Sequence, residues 1–256
     1  MHYMKPLILI TNDDGILSKG ISELIDMACT LGNVVVMAPD GPRSAQSNAL
    51  TMAVPVYYQL ERKEPGLEIY KCSGTPTDCV KLALNNVLDR KPDLLFSGIN
   101  HGSNSGINVI YSGTMGAVFE GCVNEIPSVG FSLCDHAKDA DFSKAKIYFE
   151  QIAHKVMMEG LPSGVCLNVN APKGDINGIR VTQQTKGYWT EEFENRTSPH
   201  GQDYYWLTGY FFNQEPDNQL TDEWALSQDY VAIVPTRIDM TDYDAIQLLK
   251  DYEEIR

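Results

Sequence analysis

Two adjacent carboxylates, Asp13 and Asp14, stand just after an apolar run, Lys5 to Thr11, and directly before Gly15. Side chains alternate faces along a strand, so the pair converges only where the chain turns, and Gly15 permits that turn. Carboxylates this close repel each other and share a proton unless a cation neutralises them. Taken alone, Asn12-Asp13-Asp14-Gly15 reads equally as an Asx-type turn with a helix cap or as part of a cation site. Three more polar clusters accompany it. The loop Pro39-Asp40-Gly41-Pro42-Arg43-Ser44 brings a hydroxyl that suits a metal or a phosphate, although such loops are more often merely polar. Ser97 to Gly106 (SGINHGSNSG) sets three glycines among Asn100, His101 and Asn104. Its backbone can approach an anion, and its amide oxygens can bind a cation. Tyr111-Ser112-Gly113-Thr114 opens a helical stretch, either as a phosphate cradle or as plain N-capping by Ser112 or Thr114.

Carboxylate, hydroxyl and amide oxygens are hard donors, which select Mg²⁺ or Mn²⁺ over Zn²⁺. His101 could touch phosphate, but a lone loop histidine is more often incidental. His2, His136, His154 and His200 have no partners by spacing and receive no role. Gly74-Thr75-Pro76-Thr77-Asp78-Cys79 reads as a helix start, with Pro76 in the first turn and Thr77 or Asp78 as caps. Neither GxGxxG nor GxxxxGK[ST] occurs, which excludes the usual dinucleotide and P-loop signatures.

These clusters need a frame. Lys5 to Thr11, Asn33 to Ala38, Asp93 to Ser97, Ser128 to Leu133 and Val165 to Val169 are short apolar runs of the kind buried on both faces of a parallel sheet. Helical spacing of apolar residues appears over 20–31, 77–88, 114–124 and 141–158. The alternation predicts an α/β fold, a mostly parallel sheet with flanking helices, whose ligands sit at the carboxyl ends of strands. The chain is expected to form a single domain over 1–256, with an α/β core at 1–180 and an aromatic-rich loop or hairpin extension at 181–229. A C-terminal strand and helix complete it over 230–256. If exposed, the aromatics of the extension suggest a subunit contact.

The 256 residues carry 20 Lys and Arg against 34 Asp and Glu, a formal net charge of −14. Such a chain repels nucleic acid polymers and anionic membranes over most of its surface. No apolar stretch is long enough to span a bilayer, and the start lacks the features of a secretory signal. The six cysteines include no CxxC pair, so buried reduced thiols are expected, in a cytoplasmic protein.

Read together, the motifs resemble the SurE family, nucleoside-monophosphate phosphatases. The stretches are TNDDGI (11–16), APDGPRSAQS (38–47), GTPTDCVKLAL (74–84), PDLLFSGINHGSNSG (92–106) and YSGTMGAVFEG (111–121). LNVNAP (167–172), the Tyr204–Trp206 triplet and residues 220–245 extend the likeness to nearly the whole chain. The resemblance implies a Rossmann-like core and a homodimer or homotetramer built partly by exchanged C-terminal segments. It also implies one divalent metal ion held by Asp13, Asp14, Ser44 and Asn100, with phosphate contacts at Asn104, Ser112, Gly113 and Thr114. The sequence departs from the family at Asn108, where an acid is common, and at Ser18-Lys19, where alanine-proline is common.

The implied reaction is metal-assisted hydrolysis of a nucleoside 5′-monophosphate. Monoester hydrolysis is so slow that an acceleration approaching ~10²¹, roughly 28 kcal/mol, can be required. A single general base supplies only about 10²- to 10⁴-fold, so the ion must carry charge stabilisation. Asp13 and Asp14 are the expected catalytic residues; either water or an aspartate could be the nucleophile, and the absence of a DxDxT arrangement favours water. Action on 3′-nucleotides or short polyphosphate, and a non-catalytic nucleotide-binding module, are the competing readings.

Overall fold

The computed structural model describes residues 5–255; His2 lies outside them. Strand β1 (Leu7–Thr11) leads through helix α1 (Lys19–Cys29) to β2 (Asn33–Pro39), and a hairpin of β3 (Tyr58–Glu64) and β4 (Leu67–Cys72) follows. Next come α2 (Pro76–Leu82), β5 (Leu94–His101), α3 (Gly113–Val123), β6 (Ser128–Leu133), α4 (Ser143–Glu159) and β7 (Val165–Ala171). After β8 (Gly178–Val181) an arm carries β9 (Gly187–Thr190), β10 (Phe193–Thr197), β11 (Asp203–Leu207) and β12 (Tyr210–Asn213). The chain returns through α5 (Asp222–Ser227) and β13 (Tyr230–Arg237), and α6 (Tyr243–Leu248) is followed by a 3-10 turn over Lys250–Glu254.

Nine strands form one sheet in the order β3-β4-β2-β1-β5-β6-β7-β13-β8. Its centre, from β4 to β7, is parallel, whereas β3 and β13 pair antiparallel to their neighbours β4 and β7. The expected α/β class is therefore observed. Strand alternation divides the core into two layers. Ile8, Ile10, Val34, Val36, Leu94 and Phe96 face α1 and α4, whose Leu24, Met27, Phe149 and Ile152 cover them. Leu9, Val35, Met37 and Leu95 face α2 and α3, where Val80, Met115 and Val118 wait.

β1 has β2 on one side and β5 on the other, so the sheet grows from β1 toward β4 first and, after α2, in the opposite direction through β5. A crevice opens at the carboxyl ends of strands where this happens. Helix α1 is drawn tight against that crevice. A Cβ on Gly20 would stand 1.9 Å from the Ile99 carbonyl oxygen at the end of β5. The Gly20→Ala protein is expected to lose about 3 kcal/mol or more by overpacking, measured by urea unfolding.

The helix expected over 77–88 begins one residue earlier, with Thr75 as its N-cap rather than Thr77 or Asp78. Asp78 instead completes a capping box with Thr75. The regular helix ends at Leu82, and a wider turn carries the chain on through Val87. The thiol expectation holds for Cys72, Cys79, Cys122 and Cys166, which are buried and free, but Cys29 is exposed on the last turn of α1. Among the described residues no helix is long and apolar enough to cross a membrane.

Candidate functional site

Asp13 and Asp14 sit where β1 has just ended, in a turn shaped from below by Asn12. Its amide nitrogen donates to the Gly15 carbonyl (3.0 Å) and to Ser18 Oγ (2.9 Å). Gly15, at φ +92°, packs so closely on the next loop that a Cβ would lie 2.9 Å from the Gly41 carbonyl carbon. That second loop is tied to the first by Ile16 N–H donating to Pro39 O (2.9 Å) and Arg43 N–H donating to Asp13 O (2.6 Å). Ser44 follows Arg43 and is exposed, next to Ala45 in the left-handed region at φ +57°. Ser47 anchors the far end of this loop by donating from Oγ to Ile110 O (2.7 Å), beside the start of α3.

The third loop arrives from β5. The register of β5 against β6 shifts between Ser97 and Asn100, and a Cβ on Gly98 (φ +129°) would stand 2.3 Å from Phe131 O. Beyond the shift, His101 N–H donates to Asp14 Oδ2 at 3.1 Å. Asn100 donates from its amide nitrogen to Gly102 O (2.8 Å), which leaves its side-chain oxygen as an acceptor. His101 donates from Nδ1 to Ala137 O (2.9 Å), and its ring meets Phe142 edge-on. A cleft of about 510 Å³ opens beside Asp14, bordered by Lys19, Asp40, His101, His136 and Lys138. Its size is that of a small-molecule site.

Helix α3 closes the fourth side. Ser112 is its N-cap, accepting from Met115 N–H (3.0 Å) and keeping its own O–H to donate. Thr114 donates its hydroxyl to Asp13 Oδ1 at 2.6 Å, so that group is directed to the carboxylate. Gly113 makes the approach possible: a Cβ there would lie 2.9 Å from Asp13 Cβ and 3.0 Å from Asp13 Oδ2. The first turn of α3 thus lies against the Asp13 carboxylate, at the end of the helix where the dipole favours negative charge. Asn104 is buried and held on three sides. It donates from Nδ2 to Ser132 Oγ (2.8 Å) and from its backbone to Asn170 Oδ1 (2.8 Å), and its carbonyl accepts from Asn168 (2.8 Å).

Burial, and to a lesser degree the neighbouring Asp14, pushes the Asp13 carboxyl up from 3.8 to about 6, against the lowering pull of Thr114. A carboxylate buried in this way gains from a nearby counter-charge. Arg43 does not supply one, since its guanidinium is spent on Asp40 and Ser73 O (both 3.0 Å). Among the described residues no three His, Cys, Asp or Glu side chains gather to hold an ion. Two carboxylates with neutral hydroxyl and amide oxygens remain, a set that suits a hard divalent cation.

The sequence reasoning passed over Asn168 and Asn170. Their signal was present: two asparagines at a spacing of two within an apolar strand, hence on one face, reaching back to the Asn104 loop. It also passed over Asp222, which accepts from Gly106 N–H at 2.8 Å across 116 residues, a separation no local pattern reveals.

A family model described as Survival protein SurE matches residues 8–191. A 5′-nucleotidase SurE of Bacteroides fragilis is 56% identical over 254 residues, covering 99% of this chain and all of that protein. Its counterpart in Bacteroides thetaiotaomicron is 54% identical, covering 98% of each chain. Among solved structures, the SurE protein from Aquifex aeolicus superposes with a TM-score of 0.84 at 35% identity, covering 98% of this chain and 100% of that one.

Proposed function

The chain belongs to the SurE family and is a 5′-nucleotidase, and on that premise we propose that it is a metal-dependent phosphatase releasing phosphate from nucleoside 5′-monophosphates. One observation supports this reading above the others: a buried carboxylate, beside a second one, placed against the open first turn of α3. Anion-binding N–H groups and cation-binding oxygens then meet at one point, as a phosphate ester with a divalent ion requires.

In this reading Asp13, Asp14, Ser44 and Asn100 hold one Mg²⁺ or Mn²⁺. Bound there, the ion would withdraw charge from the phosphoryl group and make a water molecule easier to deprotonate. Gly113 and Thr114 present backbone N–H groups to the phosphate oxygens, and Ser112 adds its O–H. Asn104 donates its remaining amide hydrogen. One carboxylate of the pair accepts the proton lost by the attacking water as the bond from phosphorus to the ester oxygen breaks, and the departing nucleoside oxygen takes up a proton from solvent. Thr114 keeps Asp13 oriented throughout, and the nucleoside lies in the cleft beside Asp14. The exposed aromatics of the arm, Tyr204, Tyr205, Trp206 and Phe193, support assembly as a homodimer or homotetramer.

The test is phosphate release from a panel of 5′-nucleotides, 3′-nucleotides and short polyphosphate in one Mn²⁺ buffer. The highest kcat/KM is expected for a 5′-monophosphate. A clear preference for either other class would replace the substrate assignment, and release from none would remove it.

A further inference from the structure

The loop bearing Asn104 is held from behind by two acids at the root of the arm. Asp222, buried at the first turn of α5, accepts at Oδ2 from Gly106 N–H (2.8 Å). Its Oδ1 accepts from Thr185 N–H (3.0 Å), Thr185 Oγ1 (2.5 Å) and Glu223 N–H (2.9 Å). Glu223 in turn accepts from the Ser105 hydroxyl. Thr185 precedes the arm and Asp222 follows it, so one carboxylate joins both ends of the arm to the loop. Two arm side chains reach the same segment. Trp189 donates from Nε1 to Asn108 Oδ1 (2.7 Å), and a Cβ on Gly106 would stand 3.0 Å from the Phe211 ring.

We propose that Asp222 is a positioning residue for hydrolysis: by holding the Gly106 N–H it sets the backbone of 104–106, and so where Asn104 meets the substrate phosphate. This rests on Asn104 being a phosphate contact. The two carboxylate oxygens divide the work. Oδ1 serves the arm root alone and Oδ2 serves the loop alone, so the two duties can be separated by substitution. In D222N the amide oxygen stays with its three donors at the arm root, and the NH₂ group turns toward Gly106 N–H, where two donors oppose each other. T185V removes the hydroxyl from the arm root and leaves the Gly106 contact in place.

Steady-state kinetics on the full chain, with inorganic phosphate as competitive inhibitor, tests the assignment. For D222N, KM and the phosphate inhibition constant are expected to rise about tenfold, while Mn²⁺ affinity stays within about twofold of the parent. T185V is expected to lower Tm and leave both constants within about twofold. Should D222N fail to fold, D222E, which keeps a carboxylate but displaces it from the Gly106 N–H by one methylene, reads the same contact, with an expected rise of about threefold in the phosphate constant. Unchanged phosphate affinity in D222N, or in D222E in its place, overturns the proposal. An equal rise in T185V overturns it as well, because that is the signature of general loosening. Failure of the hydrolase reading is seen separately, as no phosphate release by the parent protein. Calorimetry with inorganic phosphate then still compares parent and variants.

Discussion

Asp13→Asn is expected to lower kcat by on the order of 10³-fold or more while making the metal-free protein more stable at neutral pH. The activity loss follows from removing one of two anionic oxygens groups that grip the ion and orient the attacking water. The gain in stability follows from burial. The folded-state pKa of about 6 lies above the unfolded value of 3.8, so between those values the folded protein holds a proton that the unfolded chain has released. The contribution of Asp13 to metal-free stability is therefore most favourable below pH 3.8 and is lost as pH rises through about 6. A shift of that size corresponds to about 3 kcal/mol, which for a chain of this length is several degrees in Tm. Asparagine keeps an oxygen to accept from Thr114 and carries no charge to bury. Thermal melts in chelator should show the variant above the parent at pH 7.5, with the gap closing toward pH 4. A variant that melts below the parent at pH 7.5 would mean that burial does not burden the carboxylate.

Chelation is expected to abolish phosphate release, and added Mn²⁺ or Mg²⁺ to restore it. The sign of the pH dependence comes from the same carboxyl. Below about pH 6 the ion must displace a proton from Asp13, so apparent Mn²⁺ affinity should fall by up to about tenfold per pH unit there and level off above. Isothermal titration across pH 5 to 8 measures this, in roughly unit steps. Saturating metal should also raise Tm, by about 2.7 kcal/mol of added stability at a hundred times Kd. Activity that persists in chelator would remove the ion from the account.

How much of this was legible in the residues depends on whether the governing contact is local. The Asp13-Asp14 pair announces itself because charge follows an apolar run and a glycine follows charge. The central strands were readable because burial on both faces leaves unbroken Ile, Leu and Val, as in Leu7 to Ile10 and Val34 to Val36. β3 was not, because Tyr58 to Glu64 is exposed throughout and carries no apolar run. β8, with only Ile179 and Val181 to signal it, is equally mute. The packing of the loop that bears Ser44 against the Asp13-Asp14 turn depends on Arg43 N–H reaching Asp13 O and on Gly15 touching Gly41, contacts between segments far apart in the chain. Thr114 shows the limit most clearly. Its type and its place beside a helix start suggest a phosphate ligand or a cap, yet its hydroxyl is bonded to Asp13, and Ser112 caps the helix. Only the packing of α3 across the end of β1 decides between them.

The most direct test of the central claim is anomalous diffraction from crystals soaked in Mn²⁺ and a phosphate analogue. One manganese peak per chain is expected, within bonding distance of oxygens from Asp13, Asp14, Ser44 and Asn100, with the analogue against Ser112 to Thr114. A fully soaked crystal with no peak there, and the Asp13 and Asp14 carboxylates directed apart, would contradict the account.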